Sequence, residues 1–466
     1  MPSDVPPGSG APVAIDGGLL SPVTVGHDAL VADDAVLTAL LGAEAALTRA
    51  WARVGVAPDA AATAVSEALT GDPGWLDAAP IARAAVAGGN PVIPLVRAAK
   101  ERVPGEVRIW VHRGATSQDI LDTALMTTSR AAGAQIVRSL ARVEAALAAL
   151  ASAHRDDVSA ARTLTQHAVP TTLGARAASW LRGVTRARAR LAGVLDTLPA
   201  QLGGAGGTLA SFVEIGGADA AAALPAAFAD EVGLATPDAP WHVERWPVTE
   251  LGDALVQVVD ALGRLAGDVA TGSRTEIGEF AEGTGGGSSA MPQKQNPAAS
   301  VLVRSAALRA PQLAATLHLA AALAVDERPD GAWHAEWPTL RDLLRLALGA
   351  SGSAASLAEG LRAFPVRAAE ILRADPLIIA ERLSIVLAPV LGADEVARIV
   401  SAAGAGGDLR QLVVDALEAA VDRAPGAPHP SDGVDALLDP ANYTGAAAAL
   451  VDRAVRAAGP TTPEET

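Results

Sequence analysis

The strongest constraint in this sequence is a helical repeat of apolar residues sustained over long stretches. Between 251 and 280, Leu251, Leu255, Val258, Leu262, Leu265 and Val269 recur at alternating four- and three-residue spacing and mark one face of a helix. Comparable patterns run over 33–54, 122–154, 179–202 and 298–324, the last containing Pro311, which is expected to kink it. Long helices with few strand signals predict an all-α fold with an extended long-helix bundle in the middle of the chain. Composition agrees: half of the 466 residues are hydrophobic, largely alanine, and only 3% are aromatic, which favours closely packed helices over sheets.

Punctuation divides the pattern. Gly55 ends the helix over 33–54 and Pro58 follows it, and short helices broken by Gly and Pro continue to about 108. Beyond 357 shorter helices recur, interrupted at Pro376, Gly392 and 404–407. The reading is three helical domains: 19–110, a central bundle over 111–356, and 357–458. Tails at 1–18 and 459–466 are rich in Pro, Gly, Ser or Thr and are expected to be disordered.

A net charge of −16 argues against a nucleic-acid partner, which would want a basic face. The absence of cysteine removes disulfides, thiolate nucleophiles and cysteine metal sites together. The N-terminal stretch carries Asp4 and several prolines but no apolar core behind basic residues, so it does not read as a secretory signal, and a cytoplasmic protein is expected. No apolar run approaches the roughly 20 residues of a membrane-spanning helix; the segment 220–229 is short and broken by proline.

Residues 283–297, GTGGGSSAMPQKQNP, carry the densest chemistry in the chain. Three successive glycines give a backbone that can move and then be held, and Ser288, Ser289, Gln293, Lys294, Gln295 and Asn296 follow within nine residues. A flexible linker needs neither that density nor Met291 and Pro292 in its middle. Only two of the 36 basic residues are lysine, Lys100 and Lys294. A compact ammonium is poorly interchangeable with a guanidinium beside a small developing anion.

The stretch GSSAMPQKQNP resembles the signature loop of the fumarase/aspartase superfamily, GSSxMPxKxNP, at all eight defined positions. The resemblance implies a catalytic base at Ser288 with Lys294 as its catalytic partner, and Ser289, Met291 and Asn296 around the substrate, on a loop that closes over it. Earlier in the chain, GATSQD resembles the superfamily's first shared region. There Thr116 and Ser117 also read as a helix N-cap facing an anion, with His112 and Arg113 just before them. The segment 161–174, ARTLTQHAVPTTLG, resembles the second region, GRTHxQxAxP, and supplies Gln166. Leu164 stands where that region carries a histidine. His167 is the substitute proton carrier three positions on, a shift of about one turn if the segment is helical; a satisfied structural histidine is the blander reading and stands ahead of it.

Two segments, PWHVERW over 240–246 and DERPDGAWHAEW over 326–337, hold four of the eight tryptophans and two of the eight histidines. Read as loops, they form either packing corners or a pocket wall with His242, Trp333 and His334. They resemble their counterparts in the superfamily's bacterial 3-carboxy-cis,cis-muconate cycloisomerase branch. The implied chemistry is removal of a proton beside a carboxylate, giving an aci-carboxylate, then loss of a leaving group from the next carbon. In that branch the leaving group is the substrate's own carboxylate, which departs without protonation and so tolerates Leu164. The resemblance implies a cofactor-free enzyme of aromatic catabolism acting on a small di- or tricarboxylate, without metal, as a homotetramer whose sites combine regions from three subunits. Adenylosuccinate lyase, or another C–N lyase of the superfamily, is the alternative within it, and a catalytically silent crystallin-like protein the alternative outside it.

Overall fold

The computed structural model describes residues 17–72, 74–287, 289–423 and 433–459. It is predominantly helical, as the periodicity requires. The five long helices are Ser117–Ala153, Leu173–Asp196, Trp246–Gly272, Ala298–Ala322 and Gly331–Gly360. Of the expected tails, 1–16 and 460–466 lie outside the described residues. The chain divides into two compact units, Met1–Arg138 with Ala189–Asp260 and Ser305–Ser353, and Ser139–Arg188 with Ala261–Arg304 and Ala354–Thr466.

The first unit packs the helix Asp33–Arg53, which ends just before Gly55 as its sequence predicts, against Asp59–Thr70 and Ala210–Val232. Leu40, Leu47, Val65, Leu95, Ile120 and Phe228 fill its core. The ring of Trp51 meets Phe212 at 5.8 Å, and its Nε1 donates to the carbonyl of Arg113 at 3.0 Å, so the core reaches the backbone of the first motif region. Ala210–Val232 is long and apolar enough, by length and composition, to cross a membrane, a longer stretch than the sequence reading singled out. Its backbone breaks at Gly217 (φ 80°, ψ 169°), which leaves 15 helical residues over 218–232.

Beneath the start of the helix Ser117–Ala153 lies a buried ionic cluster. Arg245 bonds Asp122 with both Nη atoms (2.7 and 3.1 Å) and Glu336 through Nη2 at 2.6 Å, and it stacks over Trp241 with 4.8 Å from Cζ to ring centroid. Trp333 Nε1 donates to Asp122 at 2.8 Å. Burial pushes the Glu336 carboxyl up; Arg245 opposes this and Asp122 adds to it. The WHAEW segment is therefore helical, not a loop as read from sequence. Four-residue spacing puts Trp333 and Trp337 on one face, edge to face at 4.6 Å, and that packing overrides the Pro and Gly just before it.

The second unit contains an antiparallel hairpin, Val158–Thr163 with Gln166–Thr172, where a helical register was supposed. Leu164 (φ 48°) and Thr165 (φ 71°) form its two-residue turn. Trp180 donates to Asp268 at 2.7 Å and packs on Phe280 at 5.4 Å. Phe280–Ala281 pairs with Arg362–Ala363, and the short C-terminal helices close over Ile378, Leu383, Leu387, Ile399 and Val413.

Replacing Arg245 with Leu strands Asp122 and Glu336 side by side in the core. The expected loss is about 3–5 kcal/mol, the usual cost of breaking a buried pair from one side. Urea unfolding of wild type and Arg245→Leu measures it, and a loss below about 1 kcal/mol would show that the cluster contributes little to stability.

Candidate active site

The first motif region belongs to the first unit. The chain turns at His112 (φ 60°), whose Nδ1 lies 2.7 Å from Oε1 of the fully buried Glu44. Burial pushes the His112 imidazole down, but the Glu44 carboxylate, with a smaller contribution from Asp119, lifts it above its ordinary value. Gly114 (φ 82°) lies so close to Phe212 that a Cβ there would sit 2.9 Å from its ring. Thr116 and Ser117 then open the long helix. Asp119 reaches back to the Thr116 N–H at 3.0 Å, the acidic half of a capping box, and also accepts from Gly203 N (2.9 Å) and Gly204 N (3.0 Å). His242, buried, pairs its Nε2 with the same carboxylate at 2.8 Å. One carboxylate thus holds a helix N-terminus and a glycine loop together.

A residue absent from the sequence reading completes this site. Arg328 donates to Thr116 Oγ1 at 2.5 Å and to the Ala205 carbonyl at 2.8 Å, which brings a guanidinium to the hydroxyls at the helix start. Helix N–H groups, hydroxyls and a guanidinium are donors of the kinds that carboxylates accept from. Arg113 stacks beside Trp110 with 6.0 Å from Cζ to ring centroid. Trp333 is a core residue. His334 is half-buried, and its Nδ1 donates to the Asp330 carbonyl at 2.8 Å.

Regions two and three both belong to the second unit, and a buried carboxylate joins them. Glu279, fully buried, accepts both Nη atoms of Arg162 (2.8 and 2.9 Å) and Nη1 of Arg176 (2.8 Å). Burial alone would raise this carboxyl; the two guanidiniums hold it below its ordinary range. Gln166 is exposed at the hairpin end. His167 stands across from Arg162 in the strand register, with Nδ1 2.9 Å from Asp375. Leu164 occupies the turn itself and is 96% exposed.

In the signature loop, Gly286 and Asn296 exchange backbone hydrogen bonds at 2.8 and 2.9 Å, and Asn296 Nδ2 donates to the Gly287 carbonyl at 3.2 Å. Ser289, Met291 and Lys294 are exposed beyond that pair. Ser288 lies outside the described residues. Among the described residues no cluster of three or more His, Asp or Glu is arranged to hold a metal ion. A cavity of about 780 Å³ in the second unit contains none of the motif residues, and five aspartates against Arg373 and Arg410 give it the wrong sign for a dicarboxylate.

The chain is similar to known proteins along most of its length. A lyase family model matches residues 27–311. A nitrosuccinate lyase from Streptomyces davaonensis is 46% identical over 456 residues, covering 95% of each chain. A 3-carboxy-cis,cis-muconate cycloisomerase from Pseudomonas aeruginosa is 39% identical over 442 residues, 92% of this chain and 93% of its own. The solved 3-carboxy-cis,cis-muconate lactonizing enzyme from Pseudomonas putida matches with a TM-score of 0.84 at 33% identity, covering 95% of this chain and 99% of that one. The chain belongs to the lyase family of the fumarase/aspartase superfamily and is an enzyme of that family.

Proposed function

We propose that this enzyme eliminates an anionic leaving group from a succinate-type dicarboxylate, and that the leaving group is nitrite, so that nitrosuccinate gives fumarate. The observation that carries the reading is Leu164. The position that the superfamily fills with histidine is here an apolar side chain at an exposed turn, and it offers no proton to a leaving group. Ammonia and hydroxide need that proton; nitrite and carboxylate do not. The nitrosuccinate lyase, 46% identical along nearly the whole chain, favours nitrite. Lactone opening with carboxylate as the leaving group, the expectation from the motifs, stands second and is supported by the cycloisomerase relative.

The steps balance without a redox partner. Ser288, as an alkoxide stabilised by Lys294, takes a proton from the methylene beside one carboxylate and becomes the neutral hydroxyl, and the carboxylate oxygens receive the electron pair. The aci-carboxylate then collapses to a carbon–carbon double bond as the neighbouring C–N bond breaks, and the pair leaves on nitrite. Thr116, Ser117 and Arg328 hold one carboxylate. Lys294, with Asn296, Ser289 and Gln166, meets the charge that develops on the other, where fixed donors contribute most. His112, Arg113 and Met291 line the substrate, and His167 stays with Asp375.

A homotetramer with shared sites follows from the same reading. Leu308 (76% exposed) and Leu319 (62%) lie three helical turns apart on one face of Ala298–Ala322, and Leu323 (64%) continues the stripe. An uncovered apolar stripe of this kind marks an interface between copies. Light scattering is expected to give four times the chain mass of 46.7 kDa; a fully active monomer would refute shared sites.

Purified enzyme is expected to release nitrite and fumarate from nitrosuccinate in equal amounts, with little turnover of 3-carboxymuconolactone. The reverse preference would restore the cycloisomerase reading, and turnover of neither would remove both. Ser288→Ala should lower kcat by about 10²–10⁴-fold with affinity nearly kept, and Ser289→Ala should be milder. Lys294→Arg should also be poorly tolerated. If Ser289→Ala proved inactive while Ser288→Ala resembled wild type, the base would be the second serine.

A further inference from the structure

The signature loop is pinched shut at its base by a residue that the motif does not include. Glu282 is buried, 6% exposed, and its hydrogen bonds cross to the far end of the loop: Oε2 accepts from Ala299 N (3.1 Å), and Oε1 accepts from Ser300 N (2.8 Å) and Ser300 Oγ (2.7 Å). Among the described residues no Lys or Arg pairs with it. The N-terminus of the helix Ala298–Ala322 meets its charge instead. Further along, Gly286 and Asn296 form a second rung through their paired backbone bonds. On the other side, Gly283 lies against Gly360, where a Cβ would come within 2.6 Å of the Gly360 carbonyl oxygen.

We propose that Glu282 is a positioning residue for the elimination. It staples the two ends of the loop, so that Lys294 and Asn296 are carried on a fixed neck instead of a free 15-residue tether over 283–297. The carboxylate also occupies the N–H groups of residues 299 and 300. Those donors are closed to a substrate anion, and Lys294 is left as the only basic side chain between 283 and 297. Freeing the neck spreads Lys294 over many positions, and misplacement by about 1 Å can cost 10²-fold in rate.

This inference rests on the elimination reading, but its test does not. The chain has only two lysines, so a lysine-specific endopeptidase has two sites, and Lys100 within the helix Val92–Arg102 serves as an internal control. In Glu282→Gln, cleavage after Lys294 is expected to accelerate several-fold while cleavage after Lys100 and the melting temperature stay unchanged. kcat should fall about 10–100-fold with little change in KM. Ser300→Ala, which removes one of the three hydrogen bonds, should shift both readouts the same way by less, and it carries the test if Glu282→Gln does not fold. Unchanged cleavage after Lys294 in the folded variants overturns the staple, whether or not kcat falls. Faster cleavage with unaltered kcat shows a staple that positions nothing and overturns the catalytic role. Should the wild type fail to release nitrite, proteolysis still decides the staple, and only the substrate assignment is lost.

Discussion

The first unit depends on one arginine placed between two acids in its interior. Arg245 has no access to water and gains its stability from Asp122, Glu336 and the face of Trp241. The cluster fixes the rotation of Ser117–Ala153 against Gly331–Gly360, because Asp122 belongs to one helix and Trp333 and Glu336 to the other. That rotation determines which way the N-terminal turn at Thr116 and Ser117 faces. The proposed anion site is thereby set by charges that never meet the anion.

The same device recurs with other targets, backbone N–H groups for two acids and arginines for a third. Asp119 holds a helix start to a glycine loop, Glu279 holds a hairpin to the root of the signature loop, and Glu282 holds a helix start to that loop's base. A chain of net charge −16 has few cations to spare for anionic substrate. Most of its buried acids are satisfied by N–H groups or by arginines committed to structure, which leaves Arg113, Arg328 and Lys294 as the cations nearest the proposed chemistry. Satisfied carboxylates of this kind are stiff, since each oxygen accepts from a fixed donor and has no second arrangement of similar energy.

The long helices were legible because a 3.6-residue period repeated over five or more turns has no competing reading, as Leu251 through Val269 illustrate. The hairpin was not legible. Its strands are six and seven residues long, and its turn is Leu-Thr where a two-residue turn ordinarily announces itself with Asn-Gly. The loop motif and the Thr116–Ser117 cap were visible as patterns; Asp119, three residues after Thr116, has the spacing of a capping box but was not singled out. Arg328 was not, because an arginine among Asp326, Glu327 and Asp330 reads as one charge in a solvated turn. Only the fold brings it to Thr116. Trp333 and Trp337 were seen as a cluster, but their role in packing depended on a helix that Pro329 and Gly331 appeared to forbid.

Leu164 combines two costs at one place. A side chain branched at Cγ is held at φ 48°, a region that costs a non-glycine residue about 1–2 kcal/mol, and it stands almost wholly in water. Asparagine or glycine would relieve both. By the ordinary logic of thermostabilisation this is the first residue to replace, since it breaks a local rule with nothing inside its own unit to compensate. A consensus-style redesign that made the exchange would raise the melting temperature. It would also take an exposed apolar side chain away from the end of the hairpin, next to Gln166.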